Sequence, residues 1–247
     1  MERMSTKPLL LCFATIAGWL AVPGTAAAVD PCELGGGGSC TQNGCEIICQ
    51  DFAEYIVVGR VEKYNGSDWD AVGYGVCSWT ATTPYVKDVY QGVKYFATTS
   101  GGVFSVRGDA GADLMRLATT EAESANCEYC EEGVRICGDM PDGMLMMLQG
   151  EADADRLYVC TSEDPGADNC YGDYGVLYGG LNDDVLHGSV YGSDYLSGDE
   201  GNDTVNGWDG GDTLVGGGNV DTLNGGDGDD DLYGGSETDY LNGEANN

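Results

Sequence analysis

Gly198-Asp199-Glu200-Gly201-Asn202-Asp203-Thr204-Val205-Asn206 decides the reading of this chain, because the flanking sequence repeats its pattern. Seven consecutive units run from Gly179 to Asn242, and they begin at Gly179, Gly188, Gly198, Gly207, Gly216, Gly225 and Gly234. Six have nine residues, and the unit at Gly188 has ten. Each opens on Gly. Each carries Asp at the sixth position, counted from the end in the longer unit: Asp184, Asp194, Asp203, Asp212, Asp221, Asp230 and Asp239. Each carries an aliphatic residue at the eighth: Leu186, Leu196, Val205, Leu214, Leu223, Leu232 and Leu241. A fixed short period of this kind marks a stacked repeat architecture.

The alternative is a disordered acidic tail. Residues 171–247 hold 17 Asp and Glu and no Lys or Arg, in a chain whose formal charge is -32. Such a segment repels itself and does not compact alone. A disordered tail, however, does not hold three positions in register over seven units. Cations that complete the fold reconcile the two observations. The same charge repels phosphate, so no nucleic acid partner is expected.

The pattern implies a six-residue turn followed by a three-residue strand. Gly serves where the turn backbone takes positive φ or crowds a neighbour. The central aliphatic residue of each strand points inward, and its neighbours point out. One unit cannot bury one Leu, but a stack builds a continuous narrow core. Two units per coil place Asp184, Asp203, Asp221 and Asp239 on one side and Asp194, Asp212 and Asp230 on the other. Calcium takes six to eight oxygens, from carboxylates and carbonyls alike, whereas magnesium prefers a small octahedral shell and zinc prefers nitrogen and sulfur.

The units resemble the RTX (hemolysin-type) nonapeptide, Gly-Gly-x-Gly-x-Asp-x-aliphatic-x, a calcium-binding β-roll repeat. Gly225 to Tyr233 and Gly198 to Asn206 match it best. Ser189, Asp199 and Trp208 depart from it at the second position, and Asn182, Asn219 and Glu237 at the fourth. The resemblance implies Ca²⁺ between adjacent turns, held by the seven repeat Asp side chains and turn carbonyls, with about five same-side pairs able to bind. It further implies a roll that is largely unfolded until calcium is bound. Tyr171 to Tyr178 reads as a decayed unit, with Leu177 in phase and Gly175 where Asp belongs.

The rest of the chain follows a different logic. Residues 1–28 show a basic start (Arg3, Lys7), a short apolar run from Leu9 to Val22 and an Ala26-Ala27-Ala28 end, the pattern of a secretory signal peptide. A secreted or extracellular product is expected, with cell-surface association open and no transmembrane segment. Eleven cysteines occur, and Cys12 lies in the signal segment. An even set of ten in an exported chain implies disulfides. The spacings Cys127-x-x-Cys130 and Cys45-x-x-x-Cys49 also permit a zinc site.

Composition shifts near Pro165-Gly166, so the domain boundary is set at residue 170. Residues 29–170 are expected to form a cysteine-rich, disulfide-bonded, small β-barrel-like domain, and residues 171–247 the parallel β-roll, a mainly β fold overall. Strands are expected at Tyr55 to Val61, Tyr85 to Tyr90, Gly102 to Val106, Met144 to Leu148 and Leu157 to Cys160. The runs Ile56 to Val61, Val86 to Gly92, Gly143 to Leu148 and Leu157 to Cys160, in that order, resemble the OB-like domain of bacterial relatives of netrins and tissue inhibitors of metalloproteinases. Val29-Asp30-Pro31 precedes Cys32, so the terminal cysteine that family uses to chelate zinc is missing. Gly108 to Met115 and Gly150 to Leu157 each look like one repeat unit, but they stand alone and out of phase and read as coincidence.

No catalytic motif is found. The single histidine, His187, lies at the outward ninth position of a unit and reads as solvated, and there is no Gly-x-Ser-x-Gly elbow. The expected function is calcium binding with an extracellular structural or interaction role. The alternative is a secreted enzyme or protease inhibitor acting through residues 29–170. Tyr178, Tyr191, Tyr195, Tyr233 and Tyr240 flank the inward positions and suggest an exposed face for an extracellular protein or carbohydrate partner. The repeats stop near Asn247, which leaves a sheet edge open to pairing.

Overall fold

The computed structural model describes residues 34–36, 41–42, 46–49, 54–82, 86–96, 103–117, 127–131, 133–137, 145–159 and 174–243. The signal segment and several of the cysteines lie outside them. In chain order the strands are β1 (Leu34–Gly36), β2 (Thr41–Gln42), β3 (Glu46–Ile48), β4 (Glu54–Tyr64), β5 (Trp69–Thr82), β6 (Val86–Phe96), β7 (Val103–Ala110), β8 (Leu114–Leu117), β9 (Glu128–Glu131) and β10 (Val134–Cys137). They continue as β11 (Leu145–Ala152), β12 (Arg156–Tyr158), β13 (Gly175–Leu181), β14 (Val185–His187), β15 (Tyr195–Glu200), β16 (Thr204–Gly210), β17 (Thr213–Gly218), β18 (Thr222–Gly228), β19 (Asp231–Gly235) and β20 (Tyr240–Asn242).

Turn chemistry explains the winding. At each turn the chain crosses from one sheet to the other, so successive units alternate between two facing parallel sheets. One sheet stacks β8, β12, β14, β16, β18 and β20, and the other stacks β7, β11, β13, β15, β17 and β19. The eighth-position residues face each other across the narrow interior. In the first sheet the register aligns Met115, Leu157, Leu186, Val205, Leu223 and Leu241. In the second it aligns Val106, Leu148, Leu177, Leu196, Leu214 and Leu232. All of these down to Leu214 and Leu223 are fully buried, and they form one cluster.

The roll therefore begins well before Tyr171, where composition placed the boundary. Gly108 to Met115 and Gly150 to Leu157 are not coincidences. They are the turns of the first two coils, paired in parallel with the repeats that follow. They look out of phase because insertions lengthen the coils. Asp113 and Asp155 are 42 residues apart, Asp155 and Asp184 are 29 apart, and later neighbours are 18 or 19 apart. Of the decayed unit expected from Tyr171 to Tyr178, only residues 174–178 are described. Leu177 is buried, and the backbone N–H of Gly175 occupies a ladder position. The Val159 side chain fills the space beside Gly175, which leaves no room for an Asp there.

The described parts of the five expected strands are found as β4, β6, β7, β11 and β12, whereas β5, with Gly73 and Gly75 in its middle, was not anticipated. Strands β4, β5 and β6 form an antiparallel meander. Its edge strand β4 pairs in parallel with β8 and sets Ile56 on Met115, and β3 sets Ile47 on Val106. Both isoleucines are fully buried, so the meander and β3 close the N-terminal end of the roll's core. The first insertion folds back as β9 and β10, and β10 pairs with β4. A second core lies there, built from Val57, Val61, Trp79, Val134 and Ile136. Disulfides Cys77–Cys130 and Cys127–Cys137 staple it.

A continuous core predicts that Leu157→Ala, outside the regular repeats, destabilises the fold as Leu223→Ala does. Each is expected to cost about 2–5 kcal/mol. Denaturant unfolding in calcium, followed by two spectroscopic probes, checks this. A transition in the repeats that is indifferent to Leu157→Ala contradicts the shared core.

Candidate metal centres

The nine-residue turns hold their backbone in a conformation that most side chains avoid. At the second position φ is +121° at Gly180, +74° at Asp199, +83° at Trp208 and +118° at Gly217. At the fourth it is +76° at Asn182 and Asn219 and +77° at Glu237. This left-handed region costs a residue with a Cβ roughly 1–2 kcal/mol. Five of the six departures from Gly in the repeat thus adopt the glycine conformation, and Ser189, in the ten-residue unit, does not.

That turn folds the sixth-position Asp back under its own strand. One carboxylate oxygen, Oδ1, accepts the backbone N–H of the Asp in the preceding same-side coil. Asp184 N–H donates to Asp203 Oδ1 at 2.8 Å, Asp203 N–H to Asp221 Oδ1 at 2.9 Å, and Asp221 N–H to Asp239 Oδ1 at 3.0 Å. On the other side Gly175 N–H donates to Asp194 Oδ1 at 2.6 Å, Asp194 N–H to Asp212 Oδ1 at 2.7 Å, and Asp212 N–H to Asp230 Oδ1 at 2.9 Å. The two ladders are those the sequence spacing implies.

The other oxygen is the unusual one. Oδ2 of Asp155, Asp184, Asp203, Asp212 and Asp221 is buried and has no hydrogen-bond donor among the described residues. A buried carboxylate oxygen left this way costs several kcal/mol unless it is neutralised or coordinated. It faces the opening Gly of its own unit. A methyl group at Gly179 would collide with Asp184 Oδ2 and meet the Gly198 carbonyl oxygen at 2.7 Å. At Gly207 it would collide with Asp212 Oδ2 and meet the Gly225 carbonyl at 2.7 Å, and at Gly216 it would collide with Asp221 Oδ2 and meet the Gly234 carbonyl at 2.5 Å. Side-chain and main-chain oxygens from successive coils therefore converge in these three turns. An oxygen-only set that mixes carboxylate and carbonyl fits calcium and suits neither zinc nor copper.

The seven repeat aspartates are not equivalent. Asp184, Asp194, Asp203, Asp212 and Asp221 are buried, whereas Asp230 and Asp239, on the last coil, are half-buried. In the ten-residue unit, Asp194 Oδ2 already accepts the Ser189 backbone N–H at 2.5 Å and the Ser189 hydroxyl at 2.9 Å. Ser189 Oγ in turn accepts the Gly192 N–H at 2.9 Å. Residues missed in the sequence are Asp113 and Asp155, which extend the first ladder. Asp113 N–H donates to Asp155 Oδ1, and Asp155 N–H donates to Asp184 Oδ1, both at 2.7 Å. The Gly-first, Asp-sixth signal was visible, but the insertions hid its phase.

Residues 189–223 and 215–247 match the family model of the RTX calcium-binding nonapeptide repeat (4 copies). Over those residues the repeats are similar to RTX calcium-binding repeats. No curated protein and no solved structure matches the chain. The match stops short of the antiparallel strands, so the likeness of residues 40–162 to netrin and metalloproteinase-inhibitor domains gains no support from it.

Three other expectations meet the structure here. His187 is half-buried rather than freely solvated. It stacks between Tyr158 at 4.9 Å and Trp208 at 5.9 Å, and burial, with a smaller effect of Arg156, lowers its pKa to about 4. The repeat tyrosines do not share one face. Tyr178 and Tyr195 are ring neighbours at 5.8 Å in one sheet, which also carries the exposed Tyr233, whereas Tyr240 lies in the other and Tyr191 in a turn. Cys127 and Cys130 are not a zinc pair, because each sulfur is committed to a disulfide.

Burial raises the carboxyl pKa to about 9 at Asp155, about 8 at Asp184 and about 7 at Asp203 and Asp212. Neighbouring aspartates add to the rise, and the accepted N–H bonds oppose it. A carboxyl whose folded pKa lies above its unfolded value stabilises the fold below the unfolded pKa, and that stability is lost as pH rises through the folded one. His187 acts with the opposite sign between about pH 6.5 and 4, as one group against four. The calcium-free chain is therefore expected to be more ordered near pH 5 than near pH 9. Far-ultraviolet circular dichroism of calcium-stripped protein across that range checks it, and a gain of β signal toward alkaline pH contradicts it.

Proposed function

We propose that this is an exported calcium-binding protein whose RTX repeats fold once calcium is available outside the cytoplasm, with a structural or interaction role there. The ions are held by Asp184, Asp194, Asp203, Asp212, Asp221, Asp230 and Asp239 together with turn carbonyls. The observation that carries the reading is the row of buried Asp Oδ2 atoms with no donor among the described residues, of which those of Asp184, Asp212 and Asp221 face a carbonyl oxygen across a glycine. Calcium supplies the positive charge and the extra oxygen coordination that these atoms lack.

Export is supported by the Leu9 to Val22 apolar run with its Ala26-Ala27-Ala28 end, and by disulfides of a kind that persist in oxidising compartments. No helix among the described residues is long and apolar enough to cross a membrane. RTX repeats are a binding module rather than a catalytic one, so a non-enzymatic role is the reading we favour for the whole. Without calcium, the charge of the repeats disfavours compaction, which keeps the chain pliable during export. Extracellular modules work near ~10⁻⁴ to 10⁻³ M calcium.

Titration of the calcium-stripped full chain at pH 7.5, followed by far-ultraviolet circular dichroism, tests this. A cooperative gain of β signal is expected with calcium and not with magnesium at equal concentration. Asp203→Asn keeps the Oδ1 acceptor and removes the charge, and it is expected to raise the midpoint roughly tenfold, the equivalent of about 1.4 kcal/mol. Equal response to both cations, or a β signal that calcium leaves unchanged, rejects the proposal.

A further inference from the structure

The matched repeats begin at residue 189, yet the calcium-type turn recurs upstream of them. In the unit Gly150 to Tyr158, Gly stands first, Asp155 sixth and Leu157 eighth. No glycine stands at its second or fourth position, and still Glu151 takes φ +81° and Asp153 takes φ +73°. Two residues with side chains thus hold the same backbone that glycine and asparagine hold at Gly180 and Asn182, at +121° and +76°.

Asp155 is 1% exposed. Its Oδ1 accepts the Asp113 N–H, and its own N–H is donated to Asp184 Oδ1. Its Oδ2 has no donor among the described residues. A methyl group placed on Gly150 would collide with Asp155 Oδ2 and meet the Gly179 carbonyl oxygen at 2.6 Å, the same convergence seen at Gly179, Gly207 and Gly216. The nearby guanidinium of Arg107 is directed to Glu151, 3.5 Å from its Oε1, and that pair lies on the outer surface. Among the described residues no donor pairs with the buried oxygen, and a hard divalent cation fits it.

We propose that Asp155 is a further calcium ligand, in a site between the turn opening at Gly150 and the turn opening at Gly179, outside the matched repeats. The inference rests on the calcium reading of the RTX repeats. It adds a consequence: the ion joins segments 29 residues apart across an insertion, and so couples the strands next to the disulfide-bonded meander to the repeats. Calcium then orders not only residues 175–242 but the junction formed by β11 and β12.

Native mass spectrometry of the full chain, disulfides intact and calcium saturating, tests the site with three proteins. Asp155→Asn and Asp203→Asn are each expected to bind one ion fewer than the unaltered chain. If Asp203→Asn loses an ion and Asp155→Asn keeps the full number, the additional site is refuted and the function of the repeats stands. If neither loses an ion, the calcium reading itself fails and takes this inference with it. Should Asp155→Asn not fold, hydrogen exchange on the unaltered protein decides. Protection of residues 145–158 is expected to rise on adding calcium to the stripped chain, together with that of residues 195–228. Protection that rises only in 195–228 overturns the inference.

Discussion

One carboxylate per turn, buried with half of its hydrogen-bonding capacity unmet, is the constraint on which the rest of this structure depends. Oδ1 of each ladder Asp accepts an N–H from the coil before it, so the side chain is part of the backbone's own hydrogen-bond network. That bond fixes the register between coils and draws the charge inside. In Asp155, Asp184, Asp212 and Asp221, Oδ2 then faces a carbonyl oxygen with no proton donor among the described residues, whereas Asp194 Oδ2 is satisfied by Ser189. Neutralisation by protons and coordination by calcium are the two ways out, and they compete for the same atoms. The glycine that opens each turn is required because a Cβ would occupy the space where these oxygens meet.

The apolar core is too thin to hold such a stack against its charge. Each coil buries one inward residue per sheet, worth about 1.5–3 kcal/mol per fully buried aliphatic side chain. Fixing the backbone of the roughly 18 residues in a coil costs about 1–2 kcal/mol per residue before any hydrogen bond is counted. The ladder bonds and sheet pairing narrow that gap, and ion binding to the folded form closes it by mass action. Solenoid ends are a further weakness, because a terminal coil has one neighbour only. At the N-terminal end Ile47 and Ile56 continue both core columns into β3 and β4, and β4 pairs with β5 and β10, which Cys77–Cys130 and Cys127–Cys137 staple to the β9 hairpin. Toward the last described strands burial falls away, and Leu241 is half exposed.

The regular repeats were legible because three positions recur without interruption, and both Asp ladders follow from the spacing alone. The two upstream coils were written in the same residues, Gly108, Asp113 and Met115, then Gly150, Asp155 and Leu157. They escaped because periodicity is detected by phase, whereas a solenoid is indifferent to how much chain leaves a turn and returns to it. Loop-closure entropy grows only slowly with length, so insertions are tolerated thermodynamically while they erase the period. His187 was misread for a related reason. Outward-facing was equated with solvated, but an outward residue between two rings of neighbouring coils is covered by its own column.

The same indifference bears on how the molecule is organised. Cysteine content and composition suggested two domains that meet near residue 170, each with its own logic. The strands instead share a core that runs from Ile47 to Leu223 without a break, and the cysteine-bearing insertion between β8 and β11 folds outward onto β4. Disulfides and charge thus mark different layers of one stack rather than different units. The covalent staples sit where the core is capped, and the acidic ladder runs from there through Asp155 into the repeats. An end held by disulfides offers a template on which successive coils add, each coil presenting N–H groups to the Asp of the next. Order is then expected to spread from the stapled end toward the last repeat, because the first coil is the one that does not have to form its neighbour before it can pair.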